Sequence, residues 1–174
     1  MPEDHGGAAS ERRQARVTDT LPASIAALPL RALAEGEVLI EEKSVAGALY
    51  FLARGTLEVR KDGVQIAEVS EAGAVFGEMS VLLRSPYTAT VLALADSEVR
   101  VVADPEAFLQ ENPEAALYMS RILARRLNAL NRYLVDIKRQ FGDQEDHLAM
   151  VDEVLGALMN KHPRDIDRRR RSGM

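Results

Sequence analysis

Turn signals recurring at short intervals constrain the fold of this chain more than any other feature. Between Gly36 and Val102 the sequence reads as short apolar and β-branched runs punctuated by glycine. Val38-Leu39-Ile40 is the first run, and Leu49-Tyr50-Phe51-Leu52 follows the turn around Gly47. After Arg54-Gly55, the run from Thr56 to Arg60 alternates, which puts Leu57 and Val59 on one face of a strand. Lys61-Asp62-Gly63 carries the Asp-Gly pair of a tight hairpin, and Val64 to Val69 returns from it. Thr88 to Leu94 and Glu98 to Val102 complete the set. Many short strands closed by glycine turns predict a mainly β fold with flanking α, an antiparallel barrel or jelly roll.

After Ala103 the period changes. Asp104-Pro105-Glu106 has the grammar of a helix start, a capping residue followed by proline at the first helical position, and Asn112-Pro113-Glu114 repeats it. The second start opens a long helix over residues 112–141. Its apolar residues Leu123, Leu127, Leu130, Leu134, Ile137 and Phe141 fall at alternating steps of four and three. The register continues through Leu148, Val151, Leu155 and Leu158, broken at Gln144 and His162. Such a narrow stripe is a heptad seam. A helix packed on its own barrel needs a wider apolar face, whereas this seam is flanked by Arg125, Arg126, Asn128, Asn131, Arg132 and Asp136. A parallel homodimer through the 112–141 helix is therefore preferred. Gly142-Asp143 reads as a helix break, which makes residues 142–162 an additional helix, folding back or crossing to the partner. Leu21, Ile25, Leu28 and Leu33 predict a proline-interrupted helical lead-in between Leu21 and Ala34. The expected layout is a disordered or frayed segment 1–20, a barrel with short flanking helices 21–111, the seam helix, the additional helix, and a basic disordered tail 163–174.

Composition excludes several function classes. The 174 residues carry a net charge of −5, which argues against a DNA-wrapping surface over most of the molecule. Basic residues dominate only at the end, where Lys161, Arg164 and Arg168 to Arg171 face Asp165 and Asp167. The absence of cysteine removes disulfides and thiolate-ligated clusters. His5, His147 and His162 all lie outside the strand region, which leaves no histidine for a metal site in a barrel, and no nucleophile, base and acid occur in a recognisable order. No enzyme activity, catalytic residue or metal is expected. Met79, Met119, Met150 and Met159 read as core or seam fillers. No apolar run is long enough for a membrane span, and the first residues lack the basic and apolar regions of a secretory signal. A cytoplasmic location is expected.

The segment Phe76-Gly77-Glu78-Met79-Ser80-Val81-Leu82-Leu83-Arg84-Ser85-Pro86-Tyr87-Thr88-Ala89-Thr90-Val91 resembles the phosphate-binding cassette of cyclic nucleotide-binding domains. The stretches "EGEVLIEE", "GALYFLARGTLEV" and "EAGAVFGEMS" are similar to successive barrel signatures of that family. With the following helix, the whole looks like the sensor half of bacterial catabolite-activator-type regulators, over about residues 21–141. The resemblance implies cyclic AMP or cyclic GMP as ligand, with no further cofactor required. It also implies roles for Gly77 (close backbone approach), Glu78 (ribose hydroxyl) and Thr88 (phosphate or purine edge), with Met79 and Ser80 matching the cassette. Tyr87 stands where the family carries the arginine that pairs with the phosphate. Losing such a charge-assisted bond removes about 1.5–3 kcal/mol, roughly ten- to a hundredfold in affinity. Arg84 is a candidate substitute, although it reads more naturally as an exposed helix-end cation. Ala48 replaces an acid that the family often carries in a turn. The residues after the long helix are too few for a winged helix-turn-helix, so no sequence-specific DNA reading is expected. The implied function is a stand-alone, dimeric regulatory or sensor domain with weakened or lost cyclic nucleotide binding, read by a protein partner. The alternatives are a ligand-independent dimeric interaction module, or a transcription regulator without a full helix-turn-helix domain.

Overall fold

The computed structural model describes residues 20–140 and the positions Val154, Gly156 and Leu158. The expectations for residues 1–19, and those for Phe141, the additional helix as a whole and the basic tail, lie outside the described residues. The chain divides into two compact units, Met1–Ile122 and Leu123–Met174.

Among the described residues, the first unit opens with a single helical turn, α1 (Ala23–Ala26), and then the strands β1 (Leu30–Leu33), β2 (Val38–Ile40), β3 (Leu49–Arg54), β4 (Leu57–Lys61), β5 (Val64–Val69) and β6 (Val75–Phe76). A short helix α2 (Glu78–Leu83), strands β7 (Thr90–Ala93) and β8 (Ser97–Val102), and helix α3 (Pro105–Glu111) follow. The strands form two four-stranded antiparallel sheets, ordered β1-β8-β3-β6 and β2-β7-β4-β5. The mainly β architecture with flanking helices is as the turn pattern predicts.

Local chemistry explains most of these elements. The β4–β5 hairpin closes at Asp62 and Gly63, both at positive φ (50° and 79°), so Lys61 pairs with Val64 across a two-residue turn. Asp104 caps α3 through its side chain, which accepts from the Ala107 N–H at 3.1 Å, and Pro105 sits at the first position. The Asn112 side chain, expected to cap the following helix, instead donates to the Phe108 carbonyl at 2.8 Å and closes α3 behind it.

The lead-in departs from expectation. Residues 30–33, read as the end of a helical segment, are strand β1, paired with β8 from Leu30↔Arg100 to Leu33↔Ser97. The guanidinium of Arg100 donates to the carbonyls of Ala26 and Leu28, which ties α1 to the same sheet. Backbone pairing to a strand about 70 residues away overrides the local apolar spacing.

The core lies between the sheets, around Leu33, Leu39, Ile40, Leu52, Leu57, Phe76, Val91 and Val99. Tyr87 belongs to this cluster. The long helix α4 (Pro113–Gln140) begins against the first unit, burying Ala115, Tyr118 and Met119. Tyr118 stacks obliquely on Phe51, with centroids 6.4 Å apart, and donates its hydroxyl to the Gly73 carbonyl at 3.2 Å. Among the described residues no helix is long and apolar enough to cross a membrane.

Candidate functional site

Strand β6 delivers the chain to Gly77, which adopts φ 85° and stands as the N-cap of α2. Only glycine takes that conformation without strain. A Cβ there would also come within 3.0 Å of Tyr87 Cε1 and 3.1 Å of the Ala48 carbonyl oxygen. The helix ends after Leu83 because Arg84 turns left-handed at φ 51°, and the Ser85 N–H then bonds back to the Ser80 carbonyl. These two left-handed residues fold residues 76–87 into a compact strand–helix–loop unit.

Tyr87 is the residue on which that unit closes. It is 7% exposed, and its ring packs on Gly77. Its hydroxyl donates to the Ala48 carbonyl at 2.7 Å and accepts from the Ala48 N–H at 3.1 Å. Its own backbone is paired as well: Tyr87 N–H donates to the Ser44 carbonyl at 2.9 Å, and Lys43 N–H donates to the Tyr87 carbonyl at 2.8 Å. Four hydrogen bonds thus fasten one residue to the 43–48 loop. Tyr50, opposite Phe76 on β3, has its phenol pushed above the ordinary tyrosine range, first by burial and then by the neighbouring Tyr87 phenol.

The other cassette positions are divided. Glu78, 5% exposed, and Ser80 are buried, while Thr88 is half-buried. Met79 is 50% exposed on α2, so it is neither a core filler nor part of the enclosed cluster. Arg84 points to α3, where its guanidinium meets the Glu106 carboxylate at 3.0 Å. Sequence reasoning missed the partners of Tyr87: Lys43, Ser44, Ala48 and Tyr50. Only Ala48 had a signal, as a departure from the resemblance.

Residues 30–111 match the family model of the cyclic nucleotide-binding domain. That segment belongs to the cyclic nucleotide-binding domain family. Among curated proteins, this chain is 29% identical over 125 residues to a cGMP-dependent protein kinase of Drosophila melanogaster, an alignment covering 72% of the chain and 15% of the kinase. It is 33% identical over 69 residues to an uncharacterized ABC transporter ATP-binding protein of Mycobacterium tuberculosis, covering 37% of the chain and 21% of that protein. The chain thus spans a minor part of these relatives. In fold it is similar to the catabolite activator protein of Thermus thermophilus, with a TM-score of 0.57 at 24% identity, covering 77% of this chain and 62% of that one.

Outside the cyclic nucleotide-binding domain segment, helix α4 carries the seam residues. Leu127 and Leu130 are 41% and 44% exposed, and Leu123, Leu134 and Ile137 are half-buried. Phe141 lies outside the described residues.

Proposed function

We propose that this chain is a dimeric regulatory domain of the cyclic nucleotide-binding type whose inner site takes cyclic AMP or cyclic GMP weakly or not at all. The observation that carries this reading is Tyr87, which occupies the position where the resemblance expects a phosphate-pairing arginine. Its ring lies against Gly77, and its hydroxyl both donates to and accepts from the Ala48 backbone. The approach that glycine opens is filled by protein. A cyclic phosphate entering there has to displace a buried aromatic ring and forgo a guanidinium, beside the buried acid Glu78. The domain acts by presenting its surface and the α4 seam to a second copy and to a partner protein, in the cytoplasm and without a chemical reaction of its own.

Calorimetry with cyclic AMP and cyclic GMP tests the ligand half of this reading, on the wild type and on Tyr87→Arg. The wild type should give no saturable heat at micromolar ligand, and a folded Tyr87→Arg should gain affinity. A wild-type dissociation constant near 1 µM, about −8.2 kcal/mol, would overturn it.

A further inference from the structure

The second unit, Leu123–Met174, holds the far part of α4 and the helical positions Val154, Gly156 and Leu158. Between residues 124 and 140 every residue is exposed except Asn131, Leu134, Ile137 and Lys138. Those four fall at helical spacing, on one face of α4. Residue type does not explain the contrast. Leu127 and Leu130 are exposed where Leu134 is half-buried, and Asn128 is exposed where Asn131 is half-buried. The last turns of α4 are therefore covered on one side within a single copy. We propose that the Asn131–Lys138 face of α4 is the docking site of this chain's own helical segment around Val154 and Leu158, which makes the second unit a helical hairpin.

Three observations identify the occupant. Val154 and Leu158 are half-buried and four residues apart, hence on one face of their helix, while Gly156 between them is exposed. They share a compact unit with the far part of α4. A helix running straight on from Asn131 would instead carry Val154 about 35 Å away, too far for either to cover the other. The charges also match. Residues 123–140 carry five cations (Arg125, Arg126, Arg132, Lys138 and Arg139) against Asp136 alone, and residues 141–153 carry five acids (Asp143, Glu145, Asp146, Asp152 and Glu153) with no Lys or Arg. Opposite charges on adjoining stretches attract, which favours return over continuation. The hairpin leaves Leu127 and Leu130 as the open part of the seam and so confines a second copy to that end. It stands whether or not a second copy binds.

The chain has no cysteine, so a pair of nitroxide labels can be placed in the full chain without background. Arg125→Cys and Gly156→Cys, both at exposed positions, put one label on each arm. On one continuous helix these sites are about 47 Å apart. In a hairpin with axes roughly 8–10 Å apart, the labels should lie within about 30 Å. Pulsed electron–electron resonance should give the shorter distance, unchanged on dilution with unlabelled chain. Leu134→Glu should lengthen it, whereas Leu127→Glu with Leu130→Glu should leave it in place. That double variant separates the two readings, because it removes the dimer and keeps the hairpin. A distance near 47 Å, a short distance lost on dilution, or one unmoved by Leu134→Glu would each overturn the proposal.

Discussion

The Tyr87 hydroxyl and the Ala48 backbone satisfy each other in both directions, donating at 2.7 Å and accepting at 3.1 Å. A single oxygen therefore pairs both polar groups of one peptide residue on the facing loop. Tyr87→Phe leaves the ring in place and strands those groups, which should lower stability by about 1–3 kcal/mol. Tyr87→Arg takes a guanidinium into a 7% exposed position and should cost more. Urea unfolding of the two variants would settle the order, and an unchanged midpoint for Tyr87→Phe would contradict the pairing.

Gly77 and Gly36 separate strain from collision. Both have positive φ, 85° and 82°, but a Cβ at Gly36 meets nothing within 4 Å, while one at Gly77 meets Tyr87 and Ala48. Gly36→Ala should cost only the left-handed penalty of about 1–2 kcal/mol. Gly77→Ala should cost distinctly more. Equal losses in denaturant titrations would show that the packing of Tyr87 on Gly77 is looser than the distances imply.

The seam has a direct test. Leu127 and Leu130 are large, apolar and partly exposed in one copy, so burial against a second copy should stabilise a dimer. Light scattering should report a dimer at micromolar concentration, and Leu127→Glu with Leu130→Glu should give a monomer whose strand content is unchanged. A wild type that is monomeric under those conditions would remove the dimer from the proposed function.

Alkaline titration probes the tyrosine pair. Tyr50 titrates above the ordinary phenol range, with burial as the leading cause and Tyr87 the next. A raised folded value favours the protonated phenol, so this contribution to stability is fully present below the unfolded pKa of about 10 and is lost as pH rises through the folded value. Tyr87→Phe should lower the Tyr50 value part of the way, because burial remains. Phenolate absorbance or ring-carbon shifts would follow it, and a Tyr50 midpoint unmoved by Tyr87→Phe would show that the two phenols do not interact.

Acid titration probes the β3–β8 pair. Arg54 contacts Glu98 through two nitrogens, at 2.7 and 3.0 Å, and holds its carboxyl below the usual glutamate range. Stability from this group is present above the unfolded value and lost as pH falls through the folded one. Arg54→Met should return the Glu98 midpoint towards normal in a carboxyl chemical-shift titration. An unchanged midpoint would reassign the shift.

Much of the fold was legible because its signals are local. The Asp62-Gly63 turn, the Asp104 cap and the start of α4 near Pro113 each depend on neighbours a few residues away, and each appears where the sequence predicts it. Strand β1 was not legible. Leu30–Leu33 is apolar at both ends, as a short helix would be, and becomes a strand only through the β8 backbone. Met119 in the core and Met79 on the surface look alike in sequence, and only the direction of each helix face separates them.

The sequence by itself carried the resemblance to the cyclic nucleotide-binding domain family, six of the strands after residue 36 in their order, and the helix starts near Asp104 and Asn112, while the two-residue strand Val75–Phe76 was not among them. It could establish that Tyr87 is not an arginine, because that is a matter of composition at one position. Only the tertiary structure decided what the tyrosine does. Its partners Ser44, Ala48 and Tyr50 lie about 40 residues earlier in the chain, and no periodicity or spacing encodes a contact that exists only once two sheets have closed around it.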